Sequence, residues 1–499
     1  MKKNIILLLS VLILCGSCSD FLDLPPKNTK VVYTMADVRE AMSLFLYATI
    51  SSSADATYSK YVMFNGEVIQ YPFTRRINVA SALYTNDLDL TDFLNSDGLN
   101  NENRGGLGFK TEYRENKNWE GYSFAERVWG EVFNNIGYLN MVLKDLEGVP
   151  DYNKTDYERI LGEARVIRAY YLLRLNQLFA PYDNDELGIP FNFDADIIQG
   201  GKRWKQADLY KKLIGEIMDV LEYETSPKES WNIFFNKRIM YAILAQTYQY
   251  KASSCAAEDD DWSKAEYYAK EARGNGVVES TIDEQRELTA TTVSPVVNKP
   301  HRFALLRISL YDSGPNDYSP WGRPDERLMQ YPSDELYQLY DKNDIRREVY
   351  FKEEEGKVYF VKCVFDPNEK DANCSHVLFR YSDLLLIEAE ALARQGKDGA
   401  LDLLNEFKRS KIPGYAGYSG NDVIGEILKE RRKEFVLEEE MNWIDMKRTG
   451  VKVTRLAKDE ATEEIKSYTL ESNDYRYTLP IPAEIELQYN NIQQNPGWK

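Results

Sequence analysis

The sequence predicts a mainly α protein in which paired helices form a scaffold that carries irregular aromatic loops and a few short strands. Three observations carry this. Apolar residues recur at three- and four-residue steps in many separate segments; the clearest of them, residues 380–448, reads as a helical hairpin followed by a third helix; and the long stretches between such segments lose periodicity. A single hairpin of this kind cannot bury both faces alone, so it demands stacked neighbours.

Within 380–448, Tyr381, Leu384, Leu385, Ala389 and Leu392 form the apolar face of the first helix, and Ala389, Ala391 and Ala393 keep it slim enough for close approach. Gly396 ends it. Asp398 is the expected N-cap of the second helix, which shows Ala400, Leu403, Leu404 and Phe407 on one side. After KIPG, a third helix is read as one element through Ile424, Ile427, Leu428, Arg431, Phe435 and Trp443. In ERRKE, Glu430 and Glu434 bracket Arg431 within one turn, which predicts salt bridges pinning this helix to its neighbours.

Taken in order, a first helix is expected over 34–50, with Val38, Met42, Phe45 and Leu46 in step. Periodicity fades over 51–126, where aromatic residues stand among Asn, Asp and Gly. Helices return at 125–146 (Trp129, Val132, Ile136, Leu139), at 157–179 (Ala164, Ile167, Tyr171, Leu175), at 207–223, at 239–252, and after Trp262 in SKAEYYAKEA. Small Ala where a neighbour must approach, with Tyr and Leu elsewhere, makes these pairs resemble degenerate tetratricopeptide units of irregular spacing. An insertion over 274–378 interrupts the array; it holds YDSGPNDYSPWGRPDERLMQYP, a turn-dense surface loop, and a small hairpin is expected within 348–365. The C-terminal segment, with Pro480, Pro482 and Pro496, reads as extended, its Trp498 tucked into the body.

The chain has 499 residues and a net charge of -18, from 62 Lys+Arg against 80 Asp+Glu, which argues against nucleic acid and against electrostatic docking on anionic lipid. Tyr 35, Trp 8 and Phe 20 supply rings suited to uncharged polar ligands. At the N-terminus, Lys2 and Lys3 precede an apolar run over 5–14, too short to span a bilayer, and then Gly16-Ser17-Cys18: a leader with a lipobox-like end in which Cys18 becomes the lipidated first residue. The expected division is a leader over 1–17, a lipidated tether over 18–33, an N-terminal helical region over 34–273 and a C-terminal region over 274–499, the last two forming one body. Lipid on Cys18 holds such a body to a membrane by hydrocarbon burial. Of Cys255, Cys363 and Cys374, at most one pair forms within the chain; Cys363 with Cys374 is one reading, free buried thiols the other. Only His301 and His376 are present and there is no CxxC or HExxH, so no metal site and no cofactor is expected.

Several pieces together resemble the SusD/RagB family of surface-exposed nutrient-binding lipoproteins: the lipobox with CSDFLDLPP, GEARVIRAYYLLRLNQLFAPY followed by LGIP, YSDLLLIEAEAL with ALDLLN, EILKERRKEFVLEEEMNWIDMKR, and the ending LPIPAEIELQYNNIQQNPGW. The resemblance covers essentially the whole mature chain. It implies a tetratricopeptide-like scaffold with a loop-rich ligand face, display at the outer-membrane surface, and a lid over a SusC-type TonB-dependent transporter that receives captured oligosaccharide or, in some members, peptide. A lipid-anchored scaffold whose repeats bind only protein is a further reading of the same architecture.

Sugar binding needs flat rings for pyranose C–H faces, flanked by groups that satisfy hydroxyls. The family's ligand face maps onto 63–119 and 311–331. The candidates there are Trp119, Tyr318 and Trp321 as platforms, with Tyr71, Tyr84, Arg75, Asn86, Asp87 and Arg323 beside them. No catalytic residue is expected: GxSxG, Walker and strand-to-helix GxGxxG motifs are missing, and the Glu runs at 353–355 and 438–440 read as solvated faces and loops rather than as a glycosidase's paired carboxylates.

Overall fold

A computed structural model of the chain describes residues 34–50, 63–64, 67–69, 72, 81–91, 118–120, 123–193, 202–223, 225, 232–289, 302–311, 331–362, 373–438, 440–459, 462, 464–482, 487 and 490–499. The leader, Cys18, the tether and Cys363 lie outside these residues; Cys255 is exposed with a free thiol.

The helices are α1 (Met35–Ile50), α2 (Ser123–Gly148), α3 (Lys154–Phe179), α4 (Gln206–Met218), α5 (Lys237–Ala252), α6 (Asp261–Arg273), α7 (Ile282–Thr289), α8 (Asp334–Gln338), α9 (Ile345–Tyr350), α10 (Tyr381–Arg394), α11 (Ala400–Lys411), α12 (Val423–Glu434) and α13 (Met441–Thr449). Successive helices pack on one another from α1 to α6, and α6 then packs directly on α10, so the array closes across the insertion. Ala265, Ala269 and Ala272 of α6 and Ala389 and Ala391 of α10 are all fully buried, and their missing bulk permits that approach. The result is the helical-pair scaffold expected from the repeating apolar steps. One core draws on both regions of the chain, from Met35 and Val132 to Leu384, Trp443 and Ile492.

Helix α3 is buried on nearly every face. Asn153 caps it by accepting from the Asp156 amide at 3.1 Å. Midway, Glu163 accepts backbone N–H groups of Ile233 at 3.1 Å, Phe234 at 2.7 Å and Phe235 at 2.8 Å, which ties the entry of α5 to α3. Burial pushes this carboxyl up to about 7 against the pull of those three amides.

The strands among the described residues form antiparallel pairs. β1 (Met63–Phe64) pairs with β2 (Glu67–Val68), and β3 (Ala304–Tyr311) with β6 (Asn373–Arg380), in a register from Ala304↔Arg380 to Tyr311↔Asn373. This second ladder joins the two arms of the insertion at their base. β4 (Phe351–Glu354) and β5 (Lys357–Phe360) are the hairpin expected within 348–365. Its turn uses Glu355 (φ 52) and Gly356 (φ 77), the two left-handed residues that suit a tight hairpin. β7 (Val453–Lys458) and β8 (Ile465–Leu470) form a fourth pair that the sequence pattern did not mark.

Three local expectations need correction. The second helix of the hairpin begins at Ala400 behind Gly399, whose φ of 96 makes the turn, and Asp398 does not cap it. The segment 207–223 is helical only to Met218. The third element is two helices, broken at Phe435 and separated by Leu437 (φ 63) and Glu440 (φ 46).

That break has an electrostatic reason. Glu438 turns back to Arg380 at 2.6 Å and to Lys362 at 2.6 Å, and Glu440, 2% exposed, pairs with Arg174 of α3. Glu438 and Glu440 are therefore ion-pair partners of the interior, not members of a solvated run. Residues 353–355 do face solvent in part, as expected. The salt bridges expected of ERRKE are present, but Glu430 and Glu434 reach past Arg431 to Arg346, at 2.7 Å and 3.1 Å, while Arg431 pairs with Asp383 of α10 and Asp445 of α13, both at 2.7 Å. Charged residues thus fasten α9, α10, α12 and α13 to one another through the interior.

Candidate functional site

Residues 87–90, inside the first of the two irregular segments assigned to the ligand face, lie beside residues 331–333 at the end of the second. Leu88 bridges Pro332 antiparallel, and Leu90 bridges Ala457 in parallel. The Asp89 amide donates to Tyr331 O at 2.9 Å, the Ser333 amide to Asp87 O at 2.9 Å, and the Lys458 amide to Leu90 O at 3.1 Å. Residues 88–90 therefore lie between 331–333 and β7, and a backbone-bonded rim joins part of the first segment and the end of the second to the scaffold.

Arg432 of α12 clamps that rim. Its Nε donates to Asp87 Oδ1 at 2.8 Å, one terminal nitrogen to Glu335 Oε1 at 2.6 Å and the other to Asn86 O at 2.9 Å. Asn442 Nδ2 donates to the second Asp87 oxygen at 2.7 Å, and Asn86 Nδ2 donates to Glu335. Burial opposes the Arg432 charge, but Asp87 and Glu335 outweigh it and hold the group above its usual range. One guanidinium with five N–H donors in a fixed fork can hold three acceptors from two separate segments, which a lysine cannot do in the same geometry.

The candidate residues fall into two sets. Tyr71, Arg75, Tyr318, Trp321 and Arg323 lie outside the described residues. Trp119, Tyr84, Asn86 and Asp87 come together, but inside: Trp119 is 0% exposed, Tyr84 1%, Asp87 2% and Asn86 8%. The Trp119 indole donates to Tyr84 O at 2.7 Å and lies under the Arg455 guanidinium, 3.9 Å from the ring centre. Tyr84 packs on Trp443 at 5.1 Å. A stacking platform needs an open ring face, and Trp119 presents none in this structure; its ring ties the irregular segment to the core. Asp87 likewise spends both oxygens on Arg432 and Asn442.

Groups that do reach the surface at the rim were not singled out from sequence. Tyr331 is half-buried with Lys357 Nζ 4.9 Å over its ring, and Tyr337 is half-buried with the Arg347 guanidinium 4.2 Å over its ring. Glu335 is exposed. Half-open rings beside charged donors and a carboxylate suit a hydroxyl-bearing ligand. The available signal was position: Tyr331 stands at the end of the turn-dense loop, and Glu335 and Tyr337 follow directly after it.

Among the described residues, the one acidic trio close enough for a metal is Glu258, Asp260 and Asp261. Lys251 Nζ already fills the cation's place there, 2.8 Å from Glu258 and 2.7 Å from Asp261. No helix among the described residues is long and apolar enough to cross a membrane.

With this geometry in place, comparison with known proteins is direct. A family model described as "SusD family" matches residues 306–498, and one described as "Starch-binding associating with outer membrane" matches residues 77–249. A comparison with curated proteins finds no match. Among solved structures, a SusD superfamily protein from Bacteroides thetaiotaomicron is similar at TM-score 0.68 and 21% identity, covering 93% of this chain and 100% of that one. A SusD-like carbohydrate binding protein from Bacteroides vulgatus is similar at 0.67 and 16%, covering 92% and 97%. Surface glycan-binding protein A from Bacteroides thetaiotaomicron is similar at 0.64 and 16%, covering 94% and 100%. The two matched segments contain α2 to α4, most of α5, and the chain from within β3 through α8 to α13 and the tail, and the shared fold runs through both: the chain belongs to the SusD family.

Proposed function

We propose that the protein is a lipid-anchored outer-membrane binding protein that captures oligosaccharide at the cell surface and passes it, without catalysis, to a SusC-type TonB-dependent transporter. The observation that carries the reading is the shared rim: the segments 63–119 and 311–331 are rooted together on a rigid scaffold, where loops that bind usually stand. The starch-binding, outer-membrane description of the family model and the likeness to a surface glycan-binding protein support the ligand class and the location. Cys18 supplies the anchor in this reading, and Tyr318 and Trp321 remain its stacking platforms, with Tyr71, Arg75 and Arg323 alongside.

Affinity electrophoresis through gels containing soluble polysaccharides tests it. At least one polysaccharide should retard the wild type, and Trp321→Ala with Tyr318→Ala should abolish the retardation while the protein stays folded. Retardation by none, with calorimetric binding of peptides, would move the ligand to peptide. Hydrolysis of any polysaccharide by the pure protein would overturn the non-catalytic part, and failure of a barrel transporter to co-purify from membranes would overturn the partner.

A further inference from the structure

A cleft of about 240 Å³, lined by none of the residues of the Arg432 clamp, opens at the C-terminal seam where four segments meet. Tyr182 and Asp183 come from the turn after α3, Lys447 from the last turn of α13, Asn473 and Tyr475 from the turn after β8, and Asn495 from the tail.

Its walls are fixed by bonds to the main chain. Tyr182 donates to Arg448 O at 2.6 Å. Asn495 Nδ2 donates to Phe179 O at 2.8 Å and Leu479 O at 2.7 Å, while its Oδ1 accepts from Arg203 at 2.7 Å. Tyr475 rests against Gly497, whose φ of 85 and lack of a side chain allow the contact, and stands edge-on to Trp498 at 5.4 Å; it stays 41% exposed. The next residue, Arg476, donates to Asn118 O at 3.1 Å, so the cleft wall is bonded to the residue that precedes Trp119.

The chemistry of the lining selects a ligand. Lys447 is 2% exposed and gives two of its three N–H bonds to Gln177 O and Ala180 O, both at 2.7 Å, which leaves one donor at the cleft. Burial, with Arg203 nearby, pushes this ammonium down to about 7, so at neutral pH it is a weak attractor of anions. Asp183, exposed at the rim, disfavours anions further. A half-open phenol ring among amide, carboxylate and amine groups fits a neutral, hydroxyl-rich molecule. The volume, below the roughly 300–1,000 Å³ of pockets for drug-sized ligands, admits one ring. We propose that this cleft is a second carbohydrate subsite, taking a single neutral pyranose ring against Tyr475 with its hydroxyls toward Lys447, Asn473 and Asp183. The ligand class rests on the function proposed above; the place does not.

Saturation-transfer NMR on the full mature chain with the methyl glycosides of glucose, galactose and mannose reads the cleft directly. At least one glycoside should give a signal on the wild type; Tyr475→Ala should weaken it about tenfold, Tyr475→Phe should retain it, and Asn473→Gly, which suits the left-handed backbone there (φ 60), should weaken it by a smaller factor. No signal from any glycoside, or a signal indifferent to a folded Tyr475→Ala variant, overturns the subsite. Polysaccharide retardation separates the two readings. A retarded protein whose glycoside signal ignores Tyr475→Ala loses the cleft alone, whereas an unretarded protein with a Tyr475-dependent signal keeps the cleft and loses the proposed function.

Discussion

Arg346 of α9 and Glu430 of α12 meet at 2.7 Å with neither side chain exposed at all. The same guanidinium holds Asp344 at 2.7 Å and Glu434 at 3.1 Å, so three buried carboxylates converge on one cation, with Lys433 and Arg380 as their further partners. Charges sealed from water are tolerated only while paired; without Arg346, Asp344 and Glu430 must share Lys433 while Glu434 keeps Arg380, and the buried cluster is left short of one positive charge. Arg346→Met should therefore lower stability by about 3–5 kcal/mol, read as a shift in the midpoint of urea unfolding. An unchanged midpoint would show that these pairs contribute little.

Acid should attack the same region. Burial raises the carboxyls of Glu390 and Glu430, but Arg448 at the first, and Lys433 with Arg346 at the second, outweigh it and hold both down to about 2, from an ordinary 4.5. A folded-state value below the unfolded one means that the stabilisation is complete above 4.5 and is lost as pH falls toward 2. At about 1.4 kcal/mol per unit, each group forfeits on the order of 3 kcal/mol across that window. Glu163 has the opposite sign: raised to about 7, it loses its contribution as pH climbs through 4.5 to 7. Thermal melts from about pH 5 to about pH 3 should show a falling midpoint that Glu390→Gln, already weakened, flattens. Parallel curves for the two proteins would contradict the assignment.

Much of the scaffold was legible because helical periodicity is local. Tyr381, Leu384, Leu385 and Ala389 can be picked out as buried helix positions from spacing alone, and all four are buried, Tyr381 and Leu384 in the main core and Leu385 and Ala389 against Leu404 and Phe407 of the hairpin. The ion pairs were legible in kind but not in connection, since Glu430 and Arg346 are brought together by tertiary packing and no spacing rule links them. The same holds for Glu438 and Glu440: a Glu run on a solvated helix and a Glu run that breaks a helix to reach buried arginines look identical in sequence. The candidate site was the least legible. Trp119 stands in an aperiodic stretch among polar residues, as an exposed platform would, and only Arg455 and Tyr84 reveal it as an anchor.

That reassignment predicts how Trp119 behaves. Trp119→Ala should cost about 3–5 kcal/mol, the usual toll of emptying a large buried aromatic site, whereas Trp119→Phe, which keeps much of the packing and loses the bond to Tyr84 O, should cost less. Polysaccharide retardation should survive in whatever fraction of Trp119→Ala remains folded. A normal unfolding midpoint with retardation abolished would instead return Trp119 to the ligand.

Arg432 offers the sharpest separation of scaffold from binding. Its side chain joins Asn86 and Asp87 of one segment to Glu335, just after the other, and it is accessible enough to be replaced without emptying the core, its side chain being 24% exposed. Arg432→Ala leaves Asp87 with Asn442 as its remaining side-chain partner and takes one of two donors from the Asn86 carbonyl, which keeps the Ser333 hydroxyl at 2.7 Å, a loss of about 1–3 kcal/mol by the ordinary toll of buried polar groups that lose a partner. Binding should suffer more than stability, because the rim that fixes both segments against each other loses its common tie. Arg432→Lys keeps the charge but not the three-way fork, and should fall between. Urea midpoints and gel retardation measured on the same preparations give the two readings side by side. Retardation that declines only in step with unfolding would mean that the segments hold their binding geometry without Arg432. A steep loss of retardation in a protein that still melts near the wild type would identify the clamp as the link between scaffold and ligand face.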